Sequence, residues 1–156
     1  MLARLIFAIL DFRARRGLVN SLPGESRKDH ARRTGIRGET YAYWYLRRRG
    51  YTMVARNFTL AYLDGEIDLV GYDGDTLAFV EVKTRDVSAP NAPRPEDAVN
   101  FQKRKQLARM AAAFIRARRL DASTLSTRFD ILAIESRPSA RPVVRLHKGA
   151  FTSPRR

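Results

Sequence analysis

The chain has 156 residues and a hydrophobic fraction of 44%, enough for one domain with a real core and against wholesale disorder. Thirty Lys and Arg face sixteen Asp and Glu, a formal charge of +14; such a surface attracts polyanions, nucleic acid first among them, although an arginine-rich solubility surface is the plainer account. There is no Cys, which excludes disulfide frameworks, thiolate zinc sites and Cys nucleophiles and suits a reducing, cytoplasmic setting.

Residues 1–10 are apolar apart from Arg4 but far fewer than the roughly 20 of a membrane span. Arg13, Arg15 and Arg16 follow them, whereas a signal peptide puts its charge first. A short amphipathic helix is expected here, packed locally or resting on a membrane surface. Residues 17–37 hold Gly17, Pro23, Gly24 and Gly35 among many charges and read as a linker. From Ile36 the pattern turns helical: Glu39, Ala42, Tyr43 and Leu46 fall on one stripe, and Gly50 ends it after three arginines.

Three strand-like runs follow, at 51–60, 66–72 and 77–84. Asp64-Gly65 and Asp73-Gly74-Asp75 read as turns between them, so an antiparallel meander is predicted. Residues 88–95 carry three prolines and read as a loop. A long helical stretch is expected over 96–120, a buried strand over 128–135 and an edge strand over 142–147. The helix between the third and fourth strands is a crossover, which makes those two parallel. The expected fold is α/β, a central mixed sheet flanked by helices. Residues 1–35 form an N-terminal helical extension and linker, 36–148 the domain and 149–156 a frayed tail.

Alternation puts Glu66 and Asp68 on one face of the second strand and Ile67 and Leu69 on the other. On the third strand Leu77, Phe79, Glu81 and Lys83 share a face opposite Ala78, Val80 and Val82. A strand apolar on both faces is covered on both sides, so Glu81 and Lys83 close a buried element. Buried charge needs a counter-charge or a metal, and Asp68 stands on the neighbouring strand. Two carboxylates and one amine suit phosphodiester hydrolysis: the carboxylates can hold Mg²⁺, and the amine can orient the attacking water. An ion pair of Lys83 with Glu81 or Asp68 on a solvated edge is the alternative. No Gly-rich nucleotide loop and no Gly-x-Ser-x-Gly elbow occurs, and His30 and His147 share no ligand spacing.

Asp68, twelve intervening residues and then Glu81-Val82-Lys83 resemble the Asp…(Asp/Glu)-x-Lys signature of restriction-endonuclease-like nucleases. Gly38-Glu39, Asn57-Phe58, Gly65-Glu66-Ile67-Asp68-Leu69-Val70, Phe79-Val80-Glu81-Val82-Lys83-Thr84-Arg85, Lys103 and Arg128-Phe129-Asp130 resemble, in order and spacing, the YraN family of bacterial predicted endonucleases, over roughly residues 36–147. The resemblance implies that Asp68 and Glu81 are metal ligands, with the Val82 carbonyl as a third, that Lys83 is the catalytic lysine, and that Glu39 completes the metal shell through water. Glu39 is otherwise a helix N-terminal charge. Glu66 is an outer ligand or simply the first residue of its strand. Lys103 falls on the stripe of Val99, Leu107, Met110 and Phe114, to contact phosphate or to snorkel to the surface. Arg85 is a natural phosphate contact, and Arg128 with Asp130 reads as a structural pair. The expected activity is a Mg²⁺- or Mn²⁺-dependent endonuclease on DNA, including branched or structured DNA. Two competitors stand beside it: a non-catalytic nucleic-acid-binding module, and a membrane-peripheral or protein-interaction factor. A dimer would suit two cuts on a symmetric substrate, but no residue demands one.

Overall fold

A strand with large apolar side chains on both faces is stable only between two covering layers. The run Leu77–Val82 is such a strand, and the architecture is arranged around it. The protein is described by a computed structural model over residues 2–87 and 99–152. Helices α1 (Leu2–Gly17) and α2 (Arg27–Arg48) precede strands β1 (Thr52–Leu60), β2 (Leu63–Asp73) and β3 (Thr76–Asp86). Helix α3 (Phe101–Ala117) and strands β4 (Ser126–Ser136) and β5 (Val143–Phe151) complete the order. The strands form one sheet in the order β1-β2-β3-β4-β5. β1, β2 and β3 are antiparallel neighbours, β3 and β4 are parallel across the α3 crossover, and β5 returns antiparallel. This is the mixed α/β sheet expected from the sequence, consistent with a restriction-endonuclease-like fold.

Each sheet face has its own core. On one, Tyr41, Ala42 and Leu46 of α2 pack on Leu69, Val80, Leu132 and Ile134. On the other, Leu107, Met110 and Phe114 of α3 pack on Ile67, Phe79, Phe129 and Ile131. Phe114 meets the rings of Phe58 and Phe79 edge-on, at centroid separations of 4.9 and 5.8 Å, a geometry that adds to area burial. α1 is part of the first core: Phe7 and Ala14 are buried there, and Tyr41 donates its hydroxyl hydrogen to the buried Asp11 at 2.7 Å. Local packing is therefore what the N-terminal helix does on its inner face.

Several boundaries differ from the sequence reading. The segment read as linker becomes helix at Arg27. Ser26 caps it: its Oγ accepts from the Asp29 amide at 3.1 Å and donates to the Asp29 carboxylate at 2.6 Å, which offsets the cost of Gly35 in the helix interior. Asp64-Gly65 is no turn, because β2 begins at Leu63. The pairs Phe58↔Ile67 and Leu60↔Leu63 set Thr59 against residues 64–66, a bulge in which Gly65 has φ +112°. The tail expected to fray at Gly149 is instead the end of β5, built on a second bulge at Gly149, φ +63°. There the Gly149 amide donates to Asp130 at 2.9 Å, and the buried Phe151 stacks on Phe129 at 4.8 Å. The loop expected at 88–95 and the residues 153–156 lie outside the described residues. α3 starts at Phe101 behind the cap Asn100, whose side chain accepts from the Lys103 amide.

At the turn end of the β2–β3 hairpin a polar network ties the sheet together. Arg128 donates to Asp73 at 2.7 Å and to Asp130 at 2.8 Å, Tyr51 lies within 3.1 Å of it, and Lys148 reaches Asp73 at 2.7 Å. Arg128 and Asp130 form the structural pair expected.

One glycine sets how closely α2 approaches the sheet. A Cβ on Gly38 would lie 1.8 Å from Thr84 Oγ1 and 2.9 Å from Thr84 Cβ. Rotating Thr84 cannot remove both contacts, so the helix would have to move. Gly38→Ala gains about 1 kcal/mol of helix propensity against about 1–3 kcal/mol for overpacking. Because the clash involves a Cβ, the second term wins. Urea denaturation should show Gly38→Ala destabilised, and Thr84→Ala in that background should return part of the loss. Equal stability of Gly38→Ala and wild type would refute the close approach.

Candidate active site

The carboxylates come together because two strands part. The β2–β3 register runs from Asp73↔Thr76 to Leu69↔Val80 and stops there. The next β3 amide on that side, Val82 N–H, would be a buried donor without a partner. Asp68 supplies one: its Oδ2 accepts from Val82 N at 2.7 Å. The strand is distorted accordingly. Ile67 packs in the α3 core and Leu69 in the α2 core, so they do not share a face as strict alternation predicts. Asp68 lies in the gap between the strands, buried, while Glu66 is exposed at the surface.

Glu81 projects from β3 toward α3. It is 2% exposed, and two ammonium groups converge on its Oε1: Lys83 Nζ at 2.7 Å and Lys103 Nζ at 3.2 Å. Lys103 is thus inward, as its helical stripe predicts, and its partner is Glu81. The second Glu81 oxygen, Oε2, is buried with no hydrogen-bond partner among the described residues. Burial, followed by the negative charge of Glu81, raises the Asp68 carboxyl to about 7, against the lowering pull of the Val82 amide and Lys103. Two crowded, buried carboxylates, one of them with an oxygen unsatisfied among the described residues, form a site that a divalent cation would relieve. The donor set fits a hard oxygen-seeking ion.

Glu39 stands farther out. The close approach at Gly38 brings this turn of α2 to the end of β3. Asn57 Nδ2 then holds Glu39 Oε2 at 3.0 Å. Its charge still contributes to raising the Asp68 carboxyl, but no three Asp, Glu or His side chains gather at one point among the described residues. Asp68, Glu81, Lys83 and Lys103 are therefore brought together, and Glu39 borders them. Arg85 follows on β3, half-buried. Along the N-terminal half of α3 a groove of about 570 Å³ is lined by Gln102, Lys103, Lys105, Gln106 and Arg109, with Asp64 on its β2 side.

Two contributors escape the sequence reading. Asn57 adopts φ 48°, a left-handed conformation that Asn tolerates better than most residues, and this accompanies its reach to Glu39. Gln106 packs where a Cβ on Gly65 would lie, 2.6 Å away, and its amide donates to the Asp64 carbonyl at 3.3 Å. The Asn57-Phe58 and Gly65 motif positions carried that signal without saying what they touch.

The raised Asp68 carboxyl gives a pH dependence. Between its unfolded value near 3.8 and its folded value of about 7, the native state binds more protons than the unfolded chain, so this group's contribution to stability falls as pH rises through that window. Asp68→Asn keeps an acceptor for Val82 N–H and removes the charge. In chelator, thermal unfolding should show Asp68→Asn more stable than wild type near pH 8, with the gap closing toward pH 4. A gap that stays constant with pH would refute the crowded pair.

Comparison with known proteins places the chain in a family. The model of Uncharacterised protein family UPF0102 matches residues 38–134, from the close-approach glycine to the end of the β4 core. The UPF0102 protein of Koribacter versatilis is 40% identical over 131 residues, 83% of this chain and 86% of that one. The UPF0102 protein of Solibacter usitatus is 42% identical over 125 residues, 80% and 90% of the two chains. That of Symbiobacterium thermophilum is 39% identical over 121 residues, 78% and 98%. By the extent of that match and by these relatives, the chain belongs to the UPF0102 family, the YraN family that its motifs resemble.

Proposed function

We propose that the protein is a divalent-metal-dependent endonuclease that hydrolyses phosphodiester bonds in DNA, branched or structured DNA included. The observation that carries this reading is the buried pair Asp68 and Glu81, one oxygen of Glu81 without a partner among the described residues and the other under two lysines. Asp68 and Glu81 would hold Mg²⁺ or Mn²⁺, with the Val82 carbonyl as a further oxygen. When bound, such an ion neutralises the scissile phosphate and lowers the pKa of a coordinated water.

The chain's own groups do the rest. Lys83, held by Glu81, sits beside the place where negative charge grows during hydrolysis, and there it orients the attacking water and stabilises the transition state. Lys103 contacts the phosphate from the α3 side, and Arg85 contacts it beyond Lys83 on β3. Glu39, fixed by Asn57, acts through water on the outer side. The groove along α3, with Lys103, Lys105 and Arg109, accepts the sugar-phosphate backbone, and the charge of +14 draws it there. One observation favours a non-catalytic nucleic-acid-binding module instead: only two carboxylates, not three, meet at the site among the described residues.

The test is a cleavage screen in Mg²⁺ and Mn²⁺ over linear, flapped and junction DNA, with binding measured in parallel by fluorescence anisotropy. Lys83→Ala should lose cleavage by about 10²–10³-fold, the worth of one preorganised group at developing charge, while binding is largely kept. Asp68→Ala should lose cleavage as well. Binding itself should weaken steeply between low and moderate salt through counterion release. Binding without cleavage on every substrate would assign the non-catalytic module, and no binding at low salt would end both readings.

A further inference from the structure

Helix α1 lies outside the stretch matched by the family model and has two apolar faces. The inner one, with Phe7 and Ala14, is spent on the core. The outer one presents Leu2, Leu5, Ile9 and Phe12, each between 53% and 66% exposed. Their spacing of three, four and three residues puts them in a single row along the helix. A row of four large apolar side chains on the solvent side of a helix exceeds the scattered exposure normal for a soluble surface.

The row does not stop at the helix end. Phe12 borders a cleft of about 500 Å³ between α1 and α2, and Ile36, exposed on α2, lines the other side. The rim of this surface is basic. Arg13, Arg16 and Arg37 line the cleft, the Arg16 guanidinium lies 4.5 Å from the Phe12 ring centroid, and Arg4 is exposed on the same helix. The one acid of α1, Asp11, is buried on the opposite face against Tyr41.

Three occupants can be weighed by chemistry. Nucleic acid would satisfy the arginines but leave the apolar row against sugar and phosphate. A second copy would cover the apolar row but set Arg13, Arg16 and Arg37 against their own counterparts on a chain of charge +14. An anionic lipid surface satisfies both: acyl chains and the headgroup boundary receive the apolar row, and phosphates receive the arginine rim. We infer that the outer face of α1, together with the α1–α2 cleft, docks the protein peripherally on an anionic phospholipid bilayer. It lies on the surface without spanning it, since no helix among the described residues is long and apolar enough to cross. This inference is independent of the nuclease reading.

The experiment is flotation of the full chain with vesicles of phosphatidylcholine alone and of phosphatidylcholine mixed with phosphatidylglycerol. Wild type should float with the anionic vesicles and not with the neutral ones. The triple variant Leu5→Gln, Ile9→Gln and Phe12→Gln keeps the net charge, so it isolates the apolar row; its partitioning should drop about tenfold or more, from the apolar area no longer buried. A second measurement needs no loss of function: Phe12→Trp in the otherwise native chain should gain blue-shifted emission that brominated acyl chains quench. Absence of wild-type flotation on anionic vesicles would overturn the inference. So would flotation of a folded triple variant equal to wild type, which would leave only the general basic surface at work. So would emission of the Phe12→Trp chain that brominated lipid leaves unquenched. A wild-type dimer that the triple substitution converts to monomer would assign the row to a second copy and overturn it too.

Discussion

Much of this structure follows from one backbone amide. Val82 sits in the middle of a central strand, and on its β2 side the ladder has already ended. A buried N–H must be satisfied, and here a side chain satisfies it in place of a strand. That substitution does two things at once. It lets β2 and β3 part, which opens the gap where Glu81 and Lys83 stand, and it fixes the Asp68 carboxylate in that gap by a 2.7 Å bond. The site is therefore an interruption of the sheet rather than a pocket added to it. The lysines belong to the same logic: Lys83 and Lys103 neutralise a glutamate that the fold has buried.

The two sheet faces bring different partners to this gap. α3 contributes a cation, Lys103, directly to Glu81. α2 contributes an anion, Glu39, held back by Asn57. Charge of both signs is arranged around one point, while the rest of the surface is overwhelmingly positive. A long polyanion would be gathered by the general field, and the few groups whose geometry is fixed would decide what happens to it.

What was legible in the sequence was whatever rests on local periodicity. The doubly apolar run around Phe79, the helical stripe carrying Lys103 and the crossover that makes β3 and β4 parallel follow from spacing and order in the chain, whereas Asp68, Glu81 and Lys83 were singled out as one set by the motif resemblance. What was not legible depends on partners distant in the chain. Gly65 and Gly149 look like turn or tail signals, yet each sits in a bulge where three residues face one; only the opposing strand decides between these outcomes. The start of α2 at Arg27 was hidden by Gly35 and by a charge density that resembles a linker, although Ser26 and Asp29 announce it. Ile67 and Leu69 leave strict alternation because the strand twists to deliver Asp68, a demand set by Val82 fourteen residues later.

The Arg128 network has a consequence for how the chain assembles. Its hydrogen bonds join Arg128 to Asp73, 55 residues earlier, and to Tyr51, 77 residues earlier. Contacts of such long range form only after large loops have closed, and they slow folding in proportion to that cost. Residues Tyr51, Asp73, Asp130 and Lys148 all meet around one guanidinium, so the meander of β1 to β3 and the β4–β5 pair share a single polar anchor. Neither half keeps it alone: cut apart, one retains carboxylate and phenol without their cations, the other two cations with one carboxylate. The sheet is built to appear whole or not at all, and the gap at Asp68 comes into being with it.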